Sequence, residues 1–155
     1  SNADIVLPGG TYNSDIEPIG TATTCDNTLA TNWGEPFRPG TVAGCYGRYP
    51  IIYFSSTVKL NGNGYGQGIL LVNGDLEING KFEFYGLVIV RDDIRKGTGT
   101  ANIRGSVYAA NTVLTDPSFI AGNQDVVYSR CAVESALAGS AILVRVKERH
   151  WAQTQ

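Results

Sequence analysis

Hydrophobic and polar positions alternate through the middle of the chain, and a longer repeat is laid over that alternation. From Gly68 to Asn111 the sequence reads GILLVNGDLEINGKFEFYGLVIVRDDIRKGTGTANIRGSVYAAN. Gly68-Ile69-Leu70-Leu71-Val72 returns as Gly86-Leu87-Val88-Ile89-Val90, 18 residues later, and as Gly105-Ser106-Val107-Tyr108-Ala109 after a further 19. The same spacing reaches back to Pro50-Ile51-Ile52-Tyr53-Phe54 and forward to Asp125-Val126-Val127-Tyr128-Ser129. A second register runs beside it: Thr57-Val58-Lys59-Leu60, Asp75-Leu76-Glu77-Ile78, Asp93-Ile94-Arg95-Lys96 and Thr112-Val113-Leu114-Thr115. A third aligns Phe82-Glu83-Phe84 with Ala101-Asn102-Ile103. Self-similarity at a fixed period marks a repeat architecture, whose units bury their apolar faces against their neighbours.

Three short strands per period predict an all-β fold: a parallel β-helix (β-solenoid) of 18–20 residues per turn over residues 50–129. Stacking sets equivalent positions one above another, at the interstrand spacing of about 4.8 Å. Val58, Leu76, Ile94 and Val113 then make an apolar column, and Lys59, Glu77 and Arg95 a charged one of alternating sign. The first strand is apolar on both faces. Ile52, Leu70, Val88, Val107 and Val127 form one column; Tyr53, Leu71, Ile89, Tyr108 and Tyr128 form its opposite. One face builds the core. The other is expected to be covered, by the chain's own ends, by a partner subunit or by a segment beyond this chain, because large apolar patches are seldom left in water.

Outside the repeat the pattern changes. Residues 4–49 carry turn dipeptides such as Pro8-Gly9, Glu17-Pro18, Glu35-Pro36 and Pro39-Gly40, and only Asp4-Ile5-Val6-Leu7 reads as a strand. This stretch is too aromatic for a flexible linker. It is expected to be an ordered, irregular N-terminal wrap, pinned by Trp33, Phe37 and Tyr46. After Ser129 the period becomes helical. Ala132, Val133, Ala136 and Leu137 recur on one face, Ser129 is placed to cap, Arg130 and Glu134 stand four apart, and Gly139 is a stop. Residues 130–155 thus read as a short C-terminal helix capping the solenoid's open edge, a last strand over Ala141–Val146 and a tail pinned by Trp151. Ser1-Asn2-Ala3 has the look of a protease-cleavage scar from an expression tag. The remainder, 4–155, is of single-domain length.

Composition narrows the function classes. Charged residues are 17% and the net charge is −2, with no basic run, which argues against nucleic-acid and anionic-membrane binding. No apolar stretch reaches the 18 or so residues of a membrane span. Of three cysteines, Cys25 and Cys45 flank a Gly/Pro/Asn-rich segment that a disulfide would staple in an oxidising compartment; in a reducing one all three remain thiols. Cys131 stands alone, and no Cys-x-x-Cys or histidine cluster points to zinc.

No nucleophile elbow, zinc-protease motif, phosphate loop or calcium loop occurs, so no catalytic, cofactor or metal residue is assigned. Asp92-Asp93 before Arg95 has the composition of a polysaccharide hydrolase site. Adjacent strand residues point to opposite faces, however, and a paired-carboxylate mechanism needs both on one side. His150 reads as a packing residue of the tail, and Glu77 and Glu83 as a solvated face. The candidate interaction surface is the outer column Tyr53, Leu71, Ile89, Tyr108 and Tyr128, together with Trp33 in the loop Asn32-Trp33-Gly34.

Several stretches carry a resemblance: Asn32-Trp33-Gly34, Cys45, Tyr49-Pro50-Ile51-Ile52-Tyr53, Gly66-Gln67-Gly68-Ile69-Leu70-Leu71-Val72-Asn73-Gly74-Asp75-Leu76, Phe82–Val90, Tyr128-Ser129-Arg130-Cys131-Ala132-Val133 and the closing Arg149-His150-Trp151. From about Trp33 onward the chain resembles bacterial envelope proteins labelled as pilus-assembly PilX-like. It departs from their pattern at Arg91-Asp92, where a glycine-containing turn is usual. The resemblance implies an exported domain (periplasm, pilus or cell surface), carried behind a pilin-like N-terminal helix that would anchor the native protein in a membrane. Its partners would be pilus or envelope proteins. The expected function is a non-catalytic structural or interaction module in type IV pilus-like assembly or surface adhesion. The alternatives are a polymerising β-helix scaffold similar to the bactofilins, and a polysaccharide-binding or polysaccharide-active β-helix protein.

Overall fold

A computed structural model describes residues 3–110 and 124–140. It is a parallel β-solenoid. Strands β1 (Ile5–Leu7), β3 (Ile51–Phe54), β5 (Gly64–Val72), β7 (Lys81–Val90), β9 (Thr100–Ala109) and β10 (Gln124–Tyr128) form one six-stranded parallel sheet in that order. Strands β2 (Gly10–Tyr12), β4 (Val58–Leu60), β6 (Leu76–Ile78) and β8 (Ile94–Lys96) form the second, four-stranded sheet. Gly68, Gly86 and Gly105 lie one above another in the register, as the repeat predicts. Thr112-Val113-Leu114-Thr115, the expected last strand over 141–146, His150 and Trp151 lie outside the described residues.

The expected third strand of each turn runs without a break into the first strand of the next, so that β5, β7 and β9 each bend round a glycine corner. The bend needs glycine at Gly86, where φ is +144° and a Cβ would run into the carbonyl oxygen of Gly68 on the turn below. Along β7 the alternation then separates inside from outside. Phe82, Phe84, Val88 and Val90 are buried, while Glu83, Tyr85 and Ile89 face outward. Ile5, Ile52, Leu70 and Val88 stack in one interior column, and Val58, Leu76 and Ile94 in another. Ile94 is partly buried; each of the others, fully buried, contributes about 1.5–3 kcal/mol.

Stacking begins earlier than the repeat suggests. β1 pairs with β3 (Ile5 beside Ile52), β2 pairs with β4 (Gly10 beside Val58), and Ile16 bridges to Gly64. Residues 5–16 are therefore a turn of the solenoid, and the irregular wrap is an insertion over 17–49 that returns the chain to β3. The insertion is ordered. Cys25 and Cys45 are disulfide-bonded, Cys45 is fully buried and Cys131 is a free, exposed thiol. Asn32 donates to the carbonyls of Ile19 (2.9 Å) and Asp26 (2.7 Å). Glu35 is buried, and its carboxylate accepts from the Phe37 and Thr41 amides at 3.1 Å each, tying the loop to itself. Arg48, its pKa lowered by burial, donates to the Asn32 carbonyl at 3.0 Å.

Polar side chains repeat the stacking outside. Asn61 donates to Asn13 at 2.8 Å, Asn79 donates to Asn61 at 2.9 Å, and the Thr98 amide donates to Asn79 at 2.9 Å. The charged column is only partly a ladder. Lys59 pairs with Glu77 at 2.9 Å, but Arg95 reaches to Asp75 at 2.8 Å. Helix α1 (Arg130–Ser140) is capped as expected, the Ala132 amide donating to Ser129 Oγ at 3.3 Å and Arg130 pairing with Glu134 at 2.7 Å. It does not cover the open edge. It lies across β5, β7 and β9, with the buried Ala136 seated over the Gly86 corner. The glycine column leaves a shallow track along the side of the solenoid, and an alanine-faced helix fits it closely.

Candidate functional site

The outer face of the six-stranded sheet carries the surface that the sequence singles out. Val6, Tyr53, Leu71, Ile89 and Tyr108 are consecutive partners in the register of β1, β3, β5, β7 and β9. Four interstrand steps of about 4.8 Å give a ribbon roughly 19 Å long. Tyr53 and Leu71 are half-buried, whereas Val6 is 56% exposed, Ile89 39% and Tyr108 62%.

Among the described residues, α1 covers part of this face. Ile69, which points outward two residues before Leu71, is buried but does not belong to the interior cluster. Helix α1, lying across β5, β7 and β9, is the cover on that side. Among the described residues, none packs over the adjacent ribbon at Val6, Ile89 and Tyr108, which are exposed. A row of aliphatic and tyrosine side chains on a rigid sheet suits contact with another surface. Its backbone is already hydrogen-bonded within the solenoid, so little ordering remains to be done on binding.

Two of the expected surface residues are elsewhere. Trp33 is 1% exposed and belongs to the core. Gly66 has no side chain, and a Cβ there would lie 2.6 Å from the Cβ of Trp33, so the insertion drops its indole into the solenoid at this gap. The indole meets Phe54, Phe82 and Phe84 edge to face at 6.2, 5.8 and 6.3 Å, and its Nε1 donates to the Ala30 carbonyl at 2.8 Å. Tyr128 is exposed but out of line, because β10 joins β9 with Tyr128 beside Gly105 instead of Tyr108. Val127 likewise sits beside Arg104, outside the interior column expected for it. This register ends the strand at the glycine corner, where α1 begins.

The acidic candidates Asp92, Asp93 and Glu77 lie in the turn before β8 and on β6. Asp92 pairs with its neighbour Arg91 at 3.1 Å, a contact that raises the pKa of the exposed guanidinium. The Asp93 amide donates to Asp75 Oδ1 at 3.0 Å in the turn before β8. Glu77 is held below the usual carboxylate range, first by the hydrogen bond from Lys59 and then by that from Asn79. Among the described residues no three His, Cys, Asp or Glu side chains are placed to hold a metal ion, and no helix is long and apolar enough to cross a membrane. Comparison with family models, with curated proteins and with solved structures finds no match for the chain.

Proposed function

We propose that the protein is an exported, non-catalytic interaction module, displayed from the bacterial envelope and working with type IV pilus-like machinery or in surface adhesion. The observation that carries this reading is the apolar ribbon from Val6 to Tyr108, held in register by the parallel ladder and exposed at Val6, Ile89 and Tyr108. The Cys25–Cys45 bridge supports export, because such bonds persist in oxidising compartments. The sequence resemblance to PilX-like envelope proteins supports the choice of partner class.

Ile89→Asp and Tyr108→Asp place charge on the ribbon without touching the core. In the native host each variant is expected to abolish adhesion or piliation while thermal unfolding stays within a degree or so of wild type, as for most surface substitutions. Asp92→Asn with Asp93→Asn is expected to leave the phenotype intact. An unchanged phenotype in the ribbon variants, or polysaccharide cleavage that disappears with the aspartates, overturns the proposal.

A second reading, a polymerising scaffold, has one observation in its favour. Among the described residues the six-stranded sheet ends on β1 and β10, and Val126, Val127 and Tyr128 of β10 are all exposed. Stacking β10 of one copy on β1 of the next would be a head-to-tail contact that continues without closing. Concentration-dependent filaments of the purified protein in electron micrographs would favour it over display.

A further inference from the structure

A second surface, away from the ribbon, is built where the insertion meets the solenoid. It is a cleft of about 370 Å³, within the size range of small-ligand sites. Asp15, Glu17, Phe37, Tyr65, Lys81 and Glu83 line it. Phe37, carried in by the insertion, sets its ring edge to face with Tyr65 at 4.8 Å and with Tyr85, just beyond, at 5.6 Å. Tyr65 and Glu83 are register partners on adjacent turns, so both side chains leave the sheet at neighbouring positions on its outer face.

The rim is fixed from turn to turn. Asp15 Oδ1 accepts from the Asn63 amide at 2.7 Å, and Asn63 Oδ1 accepts from the Lys81 amide at 2.9 Å. The Phe37 amide is held by the buried Glu35 at 3.1 Å. Preorganisation of this kind lowers the ordering needed on binding.

The charges around the rings select the ligand. Three carboxylates, Asp15, Glu17 and Glu83, line the cleft with one ammonium, Lys81, and none of the three is in an ion pair among the described residues; Glu83 accepts from the Tyr85 phenol, and the Arg104 guanidinium lies over the Tyr85 ring, outside the lining. The field repels anions. The described carboxylates are not grouped to chelate a metal ion. Aromatic rings beside carboxylates that hold no ion pair are the surroundings that an organic cation prefers, its charge against a ring and its N–H groups on carboxylate oxygens.

The geometry points to a binding site for an ammonium or guanidinium group on a slim aliphatic stem, the size of a lysine or arginine side chain. The cation lies in the cleft beside the Phe37–Tyr65 pair, whose rings are in contact with each other, and directs its N–H donors to Glu17 and Glu83. Lys81 competes with it at the rim and sets an upper limit on affinity.

The test is a titration of the ¹⁵N-labelled protein with N-acetyl-lysine amide, N-acetyl-arginine amide and, as the neutral control, N-acetyl-norleucine amide. Saturable shifts confined to the amides of Tyr65, Lys81 and Glu83, present for the cations and absent for norleucine, are expected. Glu17→Gln with Glu83→Gln should weaken binding about tenfold, Tyr65→Leu about three- to tenfold, and Lys81→Gln should strengthen it about two- to fivefold. All four positions are on the surface, and an unchanged far-ultraviolet spectrum confirms that each variant is folded.

Two further titrants separate the sources of the cation. Tighter binding of a Gly-Gly-Lys-Gly-Gly peptide than of spermidine assigns the group to a partner polypeptide; the reverse assigns it to a free polyamine. Either result upholds the site. Equal shifts with norleucine, no shift with any cation, or affinity indifferent to the removed carboxylates overturns it. The ribbon plays no part in these readouts, so its failure and the failure of this site are separately visible.

Discussion

Replacing Trp33 with alanine separates a core role from a surface role. The indole stands among Phe54, Phe82 and Phe84 with 1% of its surface exposed, and its Nε1 has a hydrogen-bond partner. Truncating a buried tryptophan to alanine costs about 3–5 kcal/mol, the sum of lost transfer free energy and the cavity left behind. A domain has only about 5–15 kcal/mol in total. With a urea dependence of about 2 kcal/mol per molar, a loss of about 4 kcal/mol moves the unfolding midpoint down by roughly 2 M. In a stacked array each turn is stabilised chiefly by its neighbours. The loss should therefore appear first where the insertion meets the lower turns, as faster amide exchange at Phe54 and Phe82. Leu29→Ala, at a position 39% exposed in the same insertion, serves as the control and should shift stability by no more than about 0.5 kcal/mol. A Trp33→Ala midpoint within about 0.3 M of wild type, with an unchanged slope, would refute the reasoning and return Trp33 to the surface.

Three more outcomes follow from the packing and the charges. Gly86→Ala should leave little folded protein in an expression and circular-dichroism assay, because its Cβ would collide with the Gly68 carbonyl at a φ of +144°. Cys25→Ser with Cys45→Ser should lower stability by roughly 3 kcal/mol in urea titration, given a closed loop with a sequence separation of 20. The Glu77 carboxyl is lowered by Lys59 and then by Asn79, so its contribution is present above the unfolded-state value of about 4.3 and is lost as pH falls through the lower folded value. Wild type minus Glu77→Gln should accordingly show a stability difference near neutral pH that vanishes in acid. That pair is partly exposed, so the difference is small, about 0.2–1 kcal/mol.

The solenoid was legible because its corners are made by glycine. Gly68, Gly86 and Gly105 recur at nearly constant spacing, and the apolar alternation on either side assigns each side chain to a face. The first turn was hidden by the insertion. Ile5 and Ile52 are partners across 47 residues, so no period of 18–20 could connect them. Trp33, among turn residues, reads both as a pin for the wrap and as a candidate contact. Its burial depends on the empty space at Gly66, a contact between segments that periodicity does not encode. The β10 register failed for a related reason. Tyr128 follows Gly105 by 23 residues, and a longer connection slides the pairing without altering the strand's own pattern. The ribbon itself was visible as a column of apolar outer positions. Which neighbouring column α1 would cover depended on the fit of Ala136 over Gly86, a packing detail with no sequence period of its own.

The claim that the ribbon is a contact surface is tested most directly by photo-crosslinking in the native host. Benzoylphenylalanine is placed at Tyr108 or Ile89 on the ribbon, and at Lys59 on the outer face of the other sheet as the control. The account predicts a discrete crosslinked product from the two ribbon positions, containing an envelope or pilin-like protein, and none from Lys59. Equal products from all three positions, or no product from Tyr108 and Ile89 in cells that display the protein, would contradict it.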